Sequence, residues 1–292
     1  MEVEINGAKI LATFENVPLF GTVQITQTLA VAWLVMLIIS ALCVWLGSGL
    51  KVTGISRKQA VAEMLYTSLV NFVRGNMGAG FDRYIPLVGT IFVTSVVSNL
   101  IGLVGIWSPT ADLMTELAWA LVVFVLITYH KIKAAGIGSY LKGFLDPIFI
   151  LAPINVMSEL FTPVSMACRH FGNILSGTVI SALIYAALTA ASSALFSRLG
   201  SSLLVGVVVA LAGGGTALLG RKEGKKFWFI LGIVVAVMGI LGILANLGST
   251  FPWLTVGLPA IVGLYFDWFS GCIQAFIFCT LTTLFIKQAA GD

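Results

Sequence analysis

The sequence predicts an all-α membrane protein that crosses the bilayer several times. Apolar residues make up 59% of the 292-residue chain and charged residues only 10%. The mean hydropathy is +1.04. Apolar runs near the roughly 20 residues that a helix needs to span a bilayer recur along the chain. This composition excludes a soluble domain, and residues 1–292 are interpreted as one membrane domain.

About seven membrane-crossing helices are predicted, together with one amphipathic helix. In chain order, the elements are a first transmembrane helix at 24–48, the amphipathic helix at 56–76, a transmembrane hairpin at 85–130, a long tilted helix at 147–196, an inserted transmembrane hairpin at 202–247 and a final tilted helix at 255–287. The long and final helices exceed the spanning length, so both are expected to tilt.

The amphipathic helix is predicted from its spacing. Val61, Met64, Leu65, Leu69 and Phe72 recur every three or four residues, with charged residues opposite. Such a segment is typical of a helix that lies on the membrane surface.

The basic residues predict the orientation of the chain. With the N-terminus outside and the C-terminus in the cytoplasm, thirteen Lys and Arg residues fall on the cytoplasmic side and only Lys9 and Arg198 fall outside. The positive-inside rule favours this arrangement strongly. The net charge of +4 therefore reflects membrane edges, and no nucleic-acid partner is expected.

Arg169 is the one basic residue that cannot be placed at a membrane edge. A cation at bilayer depth costs at least about 2.5 kcal/mol, so it is a functional-site hypothesis by default. The alternative is a structural arginine that pairs with a buried carboxylate.

The residues around Arg169 form a polar stripe. Thr162, Ser165, Asn173 and Ser176 recur with Arg169 at helical spacing, so they share one face of the helix. A stripe of this kind is often a helix-packing seam. With an unpaired arginine at its centre, it also fits a face that meets a passing carboxylate.

Two acids lie on either side of Arg169 in depth. At 1.5 Å per residue, Glu159 lies about 15 Å from Arg169 on the cytoplasmic side. On the outer side of the same helix, about 13.5 Å from Arg169, stands Thr178, which is not an acid. On the final helix, Asp267 precedes Gln274 by seven residues and is expected on the same face, about 10 Å further out. One acid toward each surface, with a cation between them, fits two offset aqueous half-channels. The alternative is that either acid pairs structurally with Arg169.

The chain resembles subunit a of F-type ATP synthases. The resemblance rests on Pro86–Phe92, Ser98–Leu103, Ser108–Leu113, Tyr140–Pro147, Pro153–Asn155, Glu159–Pro163, Arg169–Asn173 and Ile273–Phe278, which occur in family order across nearly the whole chain. The Arg-x-Phe-Gly-Asn and Gln-Ala-Phe-Ile-Phe elements are specific when they occur together.

The resemblance implies an ion-translocating stator in the plasma membrane of a bacterium. Its expected partners are the c ring, the peripheral-stalk b subunits, the rest of the ATP synthase complex and lipid. Arg169 becomes the charge barrier that faces the c ring. The expected ion pathway comprises Asn99, Glu159, His170, Asn173, Ser176, Thr178, Asp267 and Gln274.

No bond chemistry, cofactor or metal is expected, because the chain has no phosphate-binding Gly-Lys-Ser/Thr loop and no metal-ligand cluster. The coupling ion, H⁺ or Na⁺, stays open. The alternatives are a secondary transporter, which commonly shows duplicated halves, and a structural assembly subunit.

The chain departs from the family pattern in several places. Thr178 stands where the family often has an acid or histidine, which leaves Asp267 as the expected outer relay. His170 stands where leucine is usual, and either titration or packing could explain it. About sixty residues, 195–252, are additional, and we interpret 202–247 as a transmembrane hairpin at the periphery of the subunit.

Overall fold

The fold was analysed in a computed structural model, which describes residues 8–17, 21–146, 148–196, 202–244, 255 and 258–291. Arg198, one of the two basic residues expected outside, lies beyond these ranges. The chain divides into two compact units, one of residues 6–178 with 263–292 and one of residues 1–5 with 179–262. Each unit is described by itself.

The predicted all-α membrane fold is confirmed. Seven helices in the described residues are long and apolar enough to cross a membrane: Gln27–Gly47, Ala79–Gly102, Leu113–Ala135, Phe149–Ala194, Leu204–Lys222, Lys226–Ile243 and Ile261–Ala290. Many large apolar side chains on these helices are exposed, as expected for surfaces that face lipid.

A short β-hairpin precedes the first helix and was not predicted. Strand β1, Ile10–Val17, pairs antiparallel with β2, Gly21–Thr26. Gly21 begins β2 with a positive φ of 65°, a conformation that glycine adopts without strain. The hairpin leads directly into helix α1, Gln27–Gly47, whose N-cap Thr26 accepts a hydrogen bond from the backbone of Leu29.

Helix α2, Arg57–Met77, corresponds to the predicted amphipathic segment. Ser56 caps its first turn by accepting a hydrogen bond from the backbone of Gln59 at 3.2 Å. The helix stops at Gly78, whose φ of 93° an L side chain rarely adopts. Val73 and Met77 at its end are buried in the core, so α2 packs against the membrane helices at this end.

The core of the first unit combines buried side chains from several helices. Helix α10, Gly271–Ala290, packs against both α3, Ile85–Gly102, and α4, Leu113–Ala135. The approach to α3 is close at Gly271, where an added Cβ would lie 2.7 Å from the side chain of Asn99. Only glycine fits there, as small residues commonly allow between membrane helices. A short helix α5, Ile137–Gly143, follows α4.

Helix α6, Ala152–Phe196, is the long helix that the sequence predicted. Its 45 residues span about 68 Å at 1.5 Å per residue, more than twice a hydrocarbon core of about 30 Å. A helix of this length must tilt strongly or extend beyond the bilayer. Pro163 lies inside it, ahead of the segment that carries Arg169.

The second unit contains a helical hairpin with a glycine seam. Helix α7, Ser202–Lys222, and helix α8, Lys226–Leu244, lie against each other. The seam consists of Gly206, Gly213 and Gly220 on α7 and Gly232 and Gly239 on α8. An added Cβ at Gly213 or Gly232 would collide with the backbone of the facing helix. The two backbones are therefore in direct contact, the packing that small residues permit in membranes.

The final membrane segment is not a regular α-helix. Helix α9, Leu258–Gly263, continues into a π-helical segment, Leu264–Ser270, and then into α10. The expectation that Asp267 and Gln274 share one face assumed 3.6 residues per turn throughout. Asp267 lies inside the π segment, so a spacing of seven residues no longer implies a shared face. π-helical turns occur frequently at functional sites.

Candidate functional site

Arg169 lies on the exposed side of α6. The opposite side of the same turn is buried: Met166, Ala167 and His170 are 4%, 0% and 1% exposed. Within the part of the chain that the structure describes, Arg169 makes no hydrogen bond and no ion pair. The alternative of an arginine paired with a buried carboxylate of this chain therefore finds no support in these residues.

Gln274 on α10 lies beside Arg169. Both residues line one small cavity of about 10 Å³, together with Met166, His170, Ile277, Phe278 and Leu281. The structure thus brings together two predicted site residues that are 105 positions apart in the chain. A side-chain amide can donate and accept hydrogen bonds. Gln274 can therefore accept a hydrogen bond from the guanidinium of Arg169, or donate one to a group that is bound to this guanidinium.

The hydroxyls of the polar stripe are bonded to their own helix. Ser176 donates to the carbonyl of Asn173 at 2.9 Å, and Thr178 donates to the carbonyl of Ile174 at 2.9 Å. Both oxygens keep lone pairs that can accept a hydrogen bond. Ser165, Ser176 and Thr178 are exposed, so this side of α6 is a polar surface with Arg169 in the middle.

Asn173, one turn after Arg169 on α6, contacts the π segment. Ser270 donates a hydrogen bond to Asn173 Oδ1 at 2.6 Å. Gly177, one turn further along α6, packs so closely on Phe266 that an added Cβ would lie 2.7 Å from that side chain. Ser270 was not predicted as a site residue, because nothing in its local sequence indicates a partner 97 positions away.

Asp267 lies in the same π segment and is partly buried. Its carboxyl group approaches Gly102 at the end of α3, where an added Cβ would be 3.7 Å away. Among the described residues it has no hydrogen-bond or ion-pair partner. Asp267 is therefore a lone acid, and like Glu159 it does not pair with Arg169.

A second polar chain runs along the end of α3. Thr110 donates to Asn99 Oδ1 at 2.6 Å, and the hydroxyls of Thr110 and Ser108 lie 2.6 Å apart. The Nδ2 groups of Asn99 and Asn173 are both buried without a hydrogen-bond partner. Buried amides without partners are rare, which favours polar groups or water reaching them. Asn99 was predicted, whereas Thr110 and Ser108 were not.

Glu159 lies in a large cavity at the other end of the site. The cavity has a volume of about 690 Å³, and its walls include Lys131, Tyr140 and Asn155. Lys131 Nζ contacts both carboxylate oxygens of Glu159, at 2.7 and 2.6 Å. Burial and the nearby Glu159 carboxylate raise the pKa of Tyr140, which keeps its hydroxyl protonated. The partner of Glu159 is thus Lys131, which the sequence had placed only at a membrane edge.

His170 points into the helix bundle. Its Nδ1 lies 3.1 Å from Glu116 Oε2 on α4, and its Nε2 lies 3.4 Å from Ser95 Oγ on α3. All three residues are at most 1% exposed. The structure thus places His170 away from the exposed polar face, next to an acid that sequence reasoning did not single out.

No metal centre is evident in the described ranges, where no three His, Cys, Asp or Glu side chains are grouped as ligands. The four cysteines are free thiols. The site is instead an arginine on an exposed polar helix face, with a lone acid on one side and an ion-paired acid in a cavity on the other. This arrangement defines a polytopic membrane protein with a charged intramembrane site.

Comparison with known proteins gives the family. The ATP synthase A chain family matches residues 29–219, more than half of the chain. ATP synthase subunit a 2 from Bradyrhizobium sp. is 31% identical over 93% of this chain and 92% of its own length. ATP synthase subunit a 1 from Prosthecochloris aestuarii is 32% identical over 65% of this chain and 86% of its own. The chain belongs to the ATP synthase A chain family.

A more distant relative carries a further description. The sodium-ion-specific ATP synthase subunit a of Propionigenium modestum is 25% identical over 92% of this chain and 75% of its own length. One of the relatives is thus described as specific for the sodium ion.

Proposed function

We propose that this chain is the stator subunit of an ATP synthase that carries H⁺ or Na⁺ to and from the carboxylates of a rotating c ring. The observation that carries this proposal is Arg169, an exposed cation at membrane depth without a counter-ion among the described residues. A cation in that position is costly, so its counter-ion must come from another molecule. A carboxylate on a passing ring of proteolipids supplies it.

The cavity around Glu159 serves as the cytoplasmic half-channel. Its volume of about 690 Å³ accommodates many water molecules, since one water occupies about 30 Å³ in the liquid. An ion that leaves the ring reaches this cavity by way of Thr162, which lies at its wall two turns before Arg169 on α6. Glu159, held by Lys131, is the ionisable group at its wall.

The outer half-channel follows the π segment and the end of α3. Asp267 takes the ion from the outside, and Ser270 with Asn173 leads from it toward Arg169. Asn99 and Thr110 flank this path. Small polar side chains with unused hydrogen-bonding groups can conduct a proton or coordinate a desolvated cation.

Arg169 keeps the two half-channels apart. Its charge attracts the emptied ring carboxylate and stabilises the ionised form, as an opposite charge within about 4–6 Å does. The carboxylate can then be reloaded only after it has moved past the arginine. Each charge that crosses releases about 2.3 kcal/mol per 100 mV of membrane potential, and rotation passes this energy on to ATP synthesis elsewhere in the complex.

Replacement of the arginine tests this function. We expect Arg169→Ala to abolish ion-driven ATP synthesis in membrane vesicles while the complex still assembles. Arg169→Lys should fail as well, because an ammonium lacks the planar, spread charge of a guanidinium. Ser165→Ala, on the same exposed face, is the matched control and should retain synthesis. Normal synthesis in vesicles that contain Arg169→Ala would refute the proposal.

A further inference from the structure

The rotation of α6 about its axis decides where Arg169 points. Successive residues of an α-helix are about 100° apart, so Arg169 and His170 point in different directions. His170 lies at the centre of the buried side of this helix, whose other members are Pro163, Met166, Ala167, Ile174 and Gly177. A rotation of α6 by one residue in one direction would therefore move Arg169 into the buried position of His170, and in the other direction it would move His170 into the exposed position of Arg169.

The contacts of His170 are unusual for the interior of a membrane protein. The side chains of His170 and Glu116 are 2% and 0% exposed, and Nδ1 and Oε2 lie 3.1 Å apart. The carboxylate oxygens of Glu116 and Nδ1 of His170 have no hydrogen-bond partner among the described residues. Each of the two groups therefore depends on the other for electrostatic compensation, since a buried charge without a partner is costly.

We propose that Glu116 and His170 are positioning residues, which lock the rotation of α6 so that Arg169 faces the c ring. This inference rests on the proposed function of Arg169. Glu116 on α4 fixes Nδ1 of the imidazole, and Ser95 on α3 lies near Nε2 from another helix. Contacts from two helices hold the ring, and with it the turn of α6 that carries the arginine.

An apolar pair in place of Glu116 and His170 would not fix the rotation of α6. Well-packed apolar residues in place of a buried ion pair are often as stable or more stable, so stability alone does not explain Glu116 and His170. Apolar contacts are non-directional, and several rotations of a helix satisfy them. A buried polar pair has one geometry, and the best-attested use of such groups is to fix the register of a helix.

The experiment replaces the pair in three ways in the intact ATP synthase. Glu116→Leu combined with His170→Leu removes both polar side chains, so neither is left buried without the other. Glu116→His combined with His170→Glu exchanges the two groups. Tyr84→Phe combined with His130→Leu is the matched control, because Tyr84 and His130, on α4, form a buried side-chain hydrogen bond and neither lines the small cavity beside Arg169.

The first readout is the number of ions pumped per ATP hydrolysed, in vesicles that contain equal amounts of assembled complex. We expect a several-fold loss in the double-leucine variant, recovery in the exchanged variant and no change in the control. A double-leucine variant that is as well coupled as the wild type would overturn the proposal, because a pair with only a packing role is replaceable by apolar residues. An equal loss in the control would overturn it too.

The second readout reports rotation directly and does not depend on ion flow. Asn173→Cys and Ser270→Cys, in a background with the four native cysteines changed to alanine, are joined by a short thiol-reactive cross-linker. The two side chains are hydrogen-bonded at 2.6 Å, so the yield is expected to be high. It should fall several-fold with the leucine pair and return in the exchanged variant; an unchanged yield refutes the lock. A wild-type complex that does not couple ATP hydrolysis to ion pumping would refute the proposed function, whereas the cross-linking yield would still test the lock.

Discussion

The two sides of Arg169 are built differently. On the proposed cytoplasmic side, Glu159 lies in a cavity of about 690 Å³ and is ion-paired with Lys131. On the proposed outer side, Asp267 has no partner in the described part of the chain, and Ser270 and Asn173 are in direct hydrogen-bond contact. The difference suggests that water carries the ion on the wide side, whereas side chains must carry it on the narrow side.

Among the variants that test this difference, Asp267→Asn is expected to have the largest effect on ion transport. A narrow path has no bulk water to replace a lost acid, so we expect ion entry from outside to slow on the order of a hundredfold, as for the loss of a positioned proton-transfer group. Initial rates of ion-driven ATP synthesis in oriented vesicles measure this step. Asp112→Asn, an acid that caps the N-terminus of α4, is the control and should retain most of the rate.

Glu159→Gln is expected to have a smaller effect. The cavity around Glu159 stays open to water in this variant, so exchange with the cytoplasm should slow only a few-fold. Release of the ion to the cytoplasmic side is the measurement. If Glu159→Gln slowed transport as much as Asp267→Asn does, the two sides would not differ as proposed.

Lys131→Met sharpens the comparison further. The change keeps most of the length of the side chain but removes the cation that holds both oxygens of Glu159. We expect the cytoplasmic exchange rate to change by less than in Glu159→Gln, because the carboxyl group stays at the wall of the cavity. A loss as large as in Glu159→Gln would show that Glu159 acts in transport only together with Lys131.

The smallest effect on ion flow is expected from the inserted hairpin. Gly213→Leu should force α7 and α8 apart, because even a Cβ collides with Ala236 at this position. Overpacking of this kind costs about 1–3 kcal/mol, so less complex should assemble. Each assembled complex should transport the same ion at the normal rate. A changed ion preference would mean that the hairpin belongs to the pathway.

The orientation of the hairpin is tested separately. Lys222→Cys and Lys225→Cys lie at its turn, which the positive-inside rule places in the cytoplasm. Both should react with an impermeant thiol reagent from the cytoplasmic side. Reaction from the outside alone would contradict the predicted topology.

Sequence reasoning predicted the membrane helices well because length and apolarity are local properties. Arg169 stood out for the same reason, as a charge in an apolar run. The partners of the charged groups could not be predicted in this way. Glu116 and His170 are 54 positions apart, and the spacing of residues along one helix says nothing about which acid of another helix lies opposite.

Two other features were missed for physical reasons. The π segment at Leu264–Ser270 depends on how this helix fits its neighbours, and its sequence has no helix breaker to indicate it. The β-hairpin at Ile10–Thr26 is short and precedes the apolar run of α1, so a search for membrane-length helices passes over it. Only for the π segment did the fit against neighbouring helices decide the local structure.

The glycine seam of α7 and α8 has a consequence for how the protein is made. Two helices whose backbones touch along most of their length can pack against each other as soon as both have left the ribosome and entered the membrane. The short basic turn at Arg221–Lys226 requires no translocation of a large loop. With the two crossings that the sequence predicts, the hairpin would enter the bilayer as one unit and leave the orientation of the following chain unchanged.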